Sequence, residues 1–318
     1  MIKNIAVVGC GHWGKNLIRN FSELGVLYAV CDENKELADK FADLYKVDNL
    51  NFNEIINNES IQGVVIAAPA VLHAQLAIKA LSAKKHVYVE KPLAMNEQEA
   101  ENILTAAASN KVMIMVGHLL QYHPIFIKAK TIVESGKLGK LNYIHSNRLS
   151  FGKVRFEEDV IWSFAPHDIS MILSLAKEDI KEVKTESSCI LQKNIADIAA
   201  IHMLFKSGLK AQISVSWIHP FKEHKLVIIG ENGSIIFDDT MSWNKKLAYF
   251  NHNIDLKGKI PQLNKSEVEY IEIKESEPLK NECQHFVDVV NGNAQPITDG
   301  EEGLRVLRVI TAASYFQA

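Results

Sequence analysis

A chain of 318 residues with a formal charge of −3 lacks both the basic balance of a nucleic-acid binder and the charge excess of a disordered chain. Its 47% hydrophobic content suffices for two domains with their own cores, yet no apolar run reaches the length of a membrane span. The four cysteines, Cys10, Cys31, Cys189 and Cys283, form no C-x-x-C pair, so a reducing cytoplasm is expected rather than a disulfide framework or metal cage.

The apolar run 5–8 reads as a buried strand, which leaves no residues for a secretory leader. It breaks into Gly9-Cys10-Gly11-His12-Trp13-Gly14 and then a helical stretch, 13–24. Strand, glycine turn and helix in that order form the cradle of a dinucleotide pyrophosphate. The glycines allow a tight turn and close backbone approach, and the helix amino end supplies free N–H groups and a positive dipole. A second apolar run, 26–31, ends in Asp32. A carboxylate there suits a ribose 2′-hydroxyl and repels a 2′-phosphate, which favours NAD(H) over NADP(H).

Further apolar runs at 64–68, 86–89 and 112–116 alternate with helical stretches at 35–44, 72–82 and 96–109. This βαβ alternation predicts a doubly wound parallel sheet, an NAD-binding Rossmann domain over residues 1–121. After Pro124 the texture changes. A helix at 125–135, a strand at 141–150 and a helix near 166–175 precede several strands with hairpin punctuation. Ser207-Gly208 separates 201–205 from 209–215, and Asn232-Gly233, the pair that suits a type I′ turn, separates 225–229 from 234–237. Residues 251–265 read as a polar surface loop, and helices at 277–290 and 300–316 close the chain. Residues 122–318 are therefore expected to form an α+β domain with a mostly antiparallel open sheet. Its last helix could pack back on the first domain.

Ligands of open α/β sheets bind beyond the carboxyl ends of the strands. Three segments arrive there: Ala67-Ala68-Pro69 with His73 nearby, Glu90-Lys91-Pro92, and Gly117-His118. Lys91 is the candidate reacting amine. Partial burial and a nearby cationic nicotinamide would both disfavour its charged form, so it could take the proton of a hydroxyl as hydride leaves the carbon.

These motifs resemble the Gfo/Idh/MocA oxidoreductases, which act on sugars, sugar nucleotides and cyclitols. The resemblance spans the chain and is carried by the glycine motif, Ala68-Pro69 with His73, the run His86-Val87-Tyr88-Val89-Glu90-Lys91-Pro92, and the stretch 162–168. It implies a lysine beside the reacting hydroxyl, an often cis Lys–Pro bond, and His73 near the cofactor. Cofactor contacts are then expected at Gly9, Gly11, His12, Trp13, Gly14, Asp32, Ala68, Pro69, His73, Glu90 and Lys91. Family members commonly carry Asp-x-x-x-His at the start of a helix in the second domain. Here His167 matches the histidine, but Ser163 stands in the acid's place, which weakens a carboxylate-assisted relay. Catalysis is assigned to Lys91 and His167, and no metal is required.

The stretch Trp162-Ser163-Phe164-Ala165-Pro166-His167-Asp168, with Arg148 and Arg155 upstream, looks like the sugar-nucleotide branch, which oxidises the 3-hydroxyl of UDP-N-acetylhexosamine-type substrates. A sugar nucleotide needs cations for its diphosphate and flat surfaces for its base. Gln121, His123, Arg148, Arg155, Trp162 and Asp168 are the candidate substrate contacts, with Lys153 a further cation and Tyr122 a further surface. Alternatives are a glycoside hydrolase that retains NAD for transient oxidation, a free-sugar or inositol dehydrogenase, and an NAD-sensing regulator. The resemblance also implies a homodimer or homotetramer assembled through the open sheet face. No nucleic-acid or membrane partner is expected.

Overall fold

A computed structural model describes residues 2–255 and 257–314, arranged as two compact units. The first comprises the chain up to Tyr122 together with Glu277–Arg308. Its elements are β1 (Ile5–Val8), α1 (Gly14–Glu23), β2 (Leu27–Cys31), α2 (Lys35–Tyr45), β3 (Asp48–Asn49), α3 (Phe52–Asn57), β4 (Gly63–Ile66), α4 (His73–Ser82), β5 (His86–Glu90), α5 (Glu97–Asn110) and β6 (Ile114–Gly117). All six strands are parallel, in the order β3-β2-β1-β4-β5-β6. The order reverses between β1 and β4, which opens a crevice beyond their carboxyl ends. β1 and β4 are buried at every residue, as the apolar runs demand of a sheet covered on both faces.

The second unit comprises His123–Ser276 and the residues from Val309. It holds α6 (Pro124–Glu134), β7 (Leu141–Phe151), α7 (Val160–Ala176), β8 (Ile180–Ser188), β9 (Ile198–Phe205), β10 (Lys210–Ser216), β11 (Ile218–Gly230), β12 (Ser234–Asp238), β13 (Leu247–Phe250), β14 (Asn253–Asp255), β15 (Gln262–Asn264) and β16 (Glu269–Tyr270). Eight strands form one sheet in the order β16-β13-β12-β11-β7-β10-β9-β8, antiparallel except for the β7–β10 pair. The expected fold class is borne out: a Rossmann sheet followed by a mixed, mostly antiparallel one. Along β9, Ala199, Ile201, Met203 and Phe205 are buried on the α7 side, and Ile198, Ala200, His202 and Leu204 alternate on the other face.

The chain closes with α8 (Pro278–Val290) and α9 (Gly300–Ser314). α8 joins the Rossmann core, where the Phe286 ring meets Phe21 and Tyr88 edge-on at 6.2 and 5.8 Å. The expected helix end at 315–316 lies outside the described residues.

Four expectations differ from what is found. β3 and α3 were not anticipated, because two exposed polar residues carry no apolar signal. α7 begins at Val160, nearly two turns before Pro166, which sits inside the helix. Asp159 caps it, its carboxylate accepting from the N–H groups of Ile161 and Trp162 at 2.9 and 3.0 Å. The hairpin at Asn232-Gly233 forms, but Asn232 is absent from the residues with positive φ, so the turn is not type I′. Its geometry is set from outside: the N–H groups of Glu231 and Asn232 donate to the carbonyls of Lys140 and Leu138. Within the polar stretch 251–265, a small hairpin pairs β14 with β15.

Asp159→Ala should lower the free energy of urea unfolding by about 1 kcal/mol, the usual worth of an N-cap. A helix that truly started at Pro166 would leave that value unchanged.

Candidate active site

β1 runs straight into the glycine turn, and two of the three glycines are fixed by crowding. Gly9 has φ +101°, and a Cβ there would lie 2.6 Å from the Ala67 carbonyl group. A Cβ on Gly14 would lie 1.9 Å from the Gly9 oxygen, so no side chain fits where α1 begins. Gly11 is different: a Cβ there meets nothing within 4 Å. Its backbone faces open space at the amino end of α1, as a pyrophosphate cradle must. Asp32, at the tip of β2, accepts from the N–H of Cys10 at 2.6 Å and of Asn34 at 2.9 Å. Those bonds fix the carboxylate and leave lone pairs for a ribose hydroxyl, so the donor set fits NAD. Cys10 and Cys31 beside it are inert as thiols, pushed up to about 12 and about 11 by burial and then by Asp32. His12 and Trp13 are exposed on the turn.

Glu90 ends β5, and its half-buried carboxylate gathers the surrounding groups. Oε1 accepts from the Trp13 indole at 2.5 Å and from the Tyr88 hydroxyl at 2.9 Å, and Oε2 accepts from the Lys91 N–H at 3.3 Å. Trp13 thus ties the glycine turn to the strand tip that carries Lys91. Desolvation holds the Glu90 carboxyl above the usual carboxylate range, although the bonds from Trp13 and Tyr88 and the charge of Lys91 oppose it. On β6, Gly117 leaves room for this pair, because a Cβ there would lie 2.7 Å from the Tyr88 hydroxyl and 2.9 Å from Glu90 Oε2.

Lys91 is half-buried and precedes a cis bond to Pro92. The ring of His73, 1% exposed, spans from the Pro92 carbonyl (2.7 Å to Nδ1) to the Ala68 carbonyl (2.9 Å to Nε2). Burial, helped by the Lys91 charge, favours its neutral form. A neutral ring donates to only one of the two carbonyls. His73 therefore bonds one carbonyl and packs its other nitrogen against the second, between the turn after β4 and the segment after Lys91. Pro69 is exposed at that turn. His118 turns inward, with Nδ1 2.6 Å from Glu302 on α9.

In the second unit, Ser163 and His167 stand one turn apart on the same side of α7, in the helix interior rather than at its start. His167 and Trp162 are partly exposed, and Ser163 is buried. Asp168 points away from them into the sheet, 1% exposed, and accepts from Ser146 Oγ at 2.6 Å and from the Arg148 guanidinium. The acid and the arginine therefore neutralise each other. Across from Arg148 in the β7–β11 register lies His224, pushed down to about 4 by burial and then by the arginine's charge.

The other candidates differ in their surroundings. Gln121 is 4% exposed. His123 caps α6, accepting from the Ile125 N–H, and its ring lies between Phe237 and Trp243 with Nε2 3.6 Å from Asp239. Tyr122 offers no stacking surface, being 2% exposed with its hydroxyl on Thr298. Arg155 pairs with Glu158 at 3.0 Å, and Lys153 is exposed. Sequence reasoning missed Tyr88 as a partner of Glu90 and missed Glu282 altogether. The second left a trace: an acid in the apolar stripe of the 277–290 helix.

Residues 3–118 match the model of an oxidoreductase family with an NAD-binding Rossmann fold, and residues 126–236 match the GFO/IDH/MocA C-terminal domain. The chain belongs to the Gfo/Idh/MocA family. This oxidoreductase is 23% identical over 304 residues to UDP-N-acetylglucosamine 3-dehydrogenase of Acidithiobacillus ferrooxidans, covering 95% of this chain and 93% of that protein. A solved structure of that enzyme, GnnA, superposes with a TM-score of 0.86 at 23% identity, covering 99% of each chain. The WlbA dehydrogenase of Bordetella pertussis, solved with NADH and UDP-GlcNAcA, superposes at 0.80 with 18% identity, covering 99% of this chain and 96% of that one. Inositol 2-dehydrogenase of Salmonella typhimurium is 29% identical over 228 residues, 68% of this chain and 67% of that protein. The expected family, the NAD-binding Rossmann fold and the oxidoreductase assignment are borne out. Among the described residues no helix is long and apolar enough to cross a membrane.

Gly11→Ala should keep the wild-type unfolding midpoint yet weaken NAD binding in a fluorescence titration, since its methyl enters open space. Gly14→Ala should lower the midpoint itself. Equal midpoints for the two would contradict the crowding at Gly14. His224 resists protonation in the folded state, with a pKa of about 4 against an ordinary 6.5. Its folded form therefore binds fewer protons, so stability is lost as pH falls from 6.5 towards 4. His224→Asn should flatten urea-unfolding stability across that window, and an unchanged slope would contradict the assignment.

Proposed function

We propose that this oxidoreductase is an NAD-dependent dehydrogenase that oxidises a ring hydroxyl of a sugar nucleotide, the 3-hydroxyl of a UDP-N-acetylhexosamine-type substrate. The observation that carries the reading is the Trp13–Glu90 bond, which holds the glycine turn and the Lys91 strand tip in one rigid assembly. NAD+ supplies the hydride acceptor when bound. Gly9, Gly11, Gly14, His12 and Asp32 bind it, with Ala68, Pro69 and His73 shaping the neighbouring wall. Lys91 hydrogen-bonds the substrate hydroxyl and receives its proton, and Glu90 keeps that amine oriented. His167 assists from the second unit without the acid common in the family. Ser163 in that place donates or accepts a hydrogen bond but carries no charge, so the proton is left mainly to Lys91.

Substrate recognition belongs to the second unit, with the partly exposed Trp162, the exposed Lys153 and Arg155, which would leave Glu158, as its contacts. A second reading, a free cyclitol or sugar, is supported by the pairing of Arg148 with Asp168 and by the likeness to inositol 2-dehydrogenase. That pairing leaves one fewer cation for a diphosphate. We further propose that a second copy covers the outer face of β9 and β10, giving a homodimer or homotetramer. The free thiols suit a cytoplasmic location.

Purified protein with NAD+ and a panel of UDP-sugars, dTDP-sugars and myo-inositol should form NADH with a UDP-N-acetylhexosamine. NADH with myo-inositol alone would select the second reading, and sugar release without NADH would select a hydrolase. Lys91→Ala should abolish NADH formation while NAD still binds; equal turnover would remove the lysine from the mechanism. Asp32→Ala should weaken NAD more than NADP, and an unchanged preference would show that Asp32 does not reach the ribose.

A further inference from the structure

α8 buries Leu279, Cys283, Phe286, Val287 and Val290 at helical spacing, and Glu282 stands in that stripe with 0% exposure. Every neighbour in the pattern is apolar, so Leu at 282 would complete the core. Neither carboxyl oxygen of Glu282 has a hydrogen-bond partner in good geometry. A bare carboxylate in such a place is far costlier than a neutral acid. Burial first, and the nearby Glu90 second, push its pKa well above the carboxylate range, with Tyr88 opposing them. The titratable groups that face it are Tyr88 and Glu90 from β5, Cys283 from its own helix and Tyr122 from the turn after β6. Lys91 faces the same cluster from the side of Glu90.

Two carboxyl groups in one apolar pocket cannot both ionise, and their surroundings differ. Glu90 has donors on both oxygens and a cation beside it. Glu282 has no cation beside it and no donor in good geometry, so the shared proton stays there. Tyr88 spends its single proton on Glu90, which leaves its oxygen free to accept.

We propose that Glu282 is a positioning residue for Lys91, a neutral buried acid that turns its proton to the Tyr88 oxygen and so keeps the Tyr88 hydroxyl on Glu90. The relay Glu282–Tyr88–Glu90 polarises in one direction, and a polarised donor strengthens the next bond. Glu90 then holds its negative charge beside Lys91. This role rests on the reading of Lys91 as the reacting amine, and it explains an acid where packing favours leucine.

The test compares Glu282→Leu and Glu282→Gln in the full chain. The readouts are unfolding midpoint, NADH formation, and the pH profile of Lys91 acylation mapped by mass spectrometry without substrate. Glu282→Leu should raise the midpoint, cut kcat about tenfold with the KM for NAD unchanged, and move Lys91 acylation to lower pH. Glu282→Gln, which keeps a neutral donor, should retain the wild-type rate within about twofold. A stabilised Glu282→Leu variant with the wild-type rate and acylation profile overturns the proposal. Should that variant not fold, infrared spectroscopy of Glu282→Gln decides. The carbonyl band of a protonated carboxylic acid, present in the wild type at neutral pH, should vanish in it. A wild type without that band overturns the proposal. If the wild type oxidises no sugar, the dehydrogenase reading fails, and the Lys91 profile still reports on Glu282.

Discussion

The Glu90 carboxylate joins two segments that are far apart in sequence and must act together. On one side it accepts from the Trp13 indole of the glycine turn, and on the other from Tyr88 and the Lys91 backbone of its own strand. The position of Lys91 relative to the cradle is therefore set by hydrogen bonds to a charged group, which are shorter and stronger than neutral ones. His73 packs between the carbonyls of Ala68 and Pro92 and donates to one of them. At Gly117 the absence of a side chain makes the Tyr88–Glu90 pair possible.

The second unit handles its charges differently. Asp168 and Arg148 are consecutive neither in sequence nor on one element, yet the fold pairs them under the sheet with Ser146. Both looked available to a ligand when read as isolated residues. A buried acid needs a partner, and the nearest guanidinium supplies it. On α7, Trp162 and His167 stay partly exposed, and His167 stands one turn beyond the buried Ser163.

Much of this was legible in the sequence where burial and backbone geometry decide the residue. The apolar run of β1, the crowded glycines and the strand tip at Lys91 each follow from local constraints. Legibility ended where tertiary contacts override local signals. Pro166 looked like a helix start, but the cap at Asp159 and the apolar run behind it carry α7 two turns further back. Asn232-Gly233 looked like a two-residue turn, but the carbonyls of Leu138 and Lys140 hold it in another shape. Pairings such as Trp13–Glu90 and Arg148–Asp168 leave no spacing signal, since each connects residues that only the fold brings together.

The proposed dehydrogenase depends on the Lys91 amine, held by Glu90, meeting the reacting hydroxyl. A crystal structure with NAD+ and an unreactive deoxy or fluoro analogue of the substrate tests it most directly. The amine should lie within hydrogen-bonding distance of the substituted ring position, with the Trp13–Glu90 bond intact. An amine turned away from the sugar, with another side chain at that position, would contradict it.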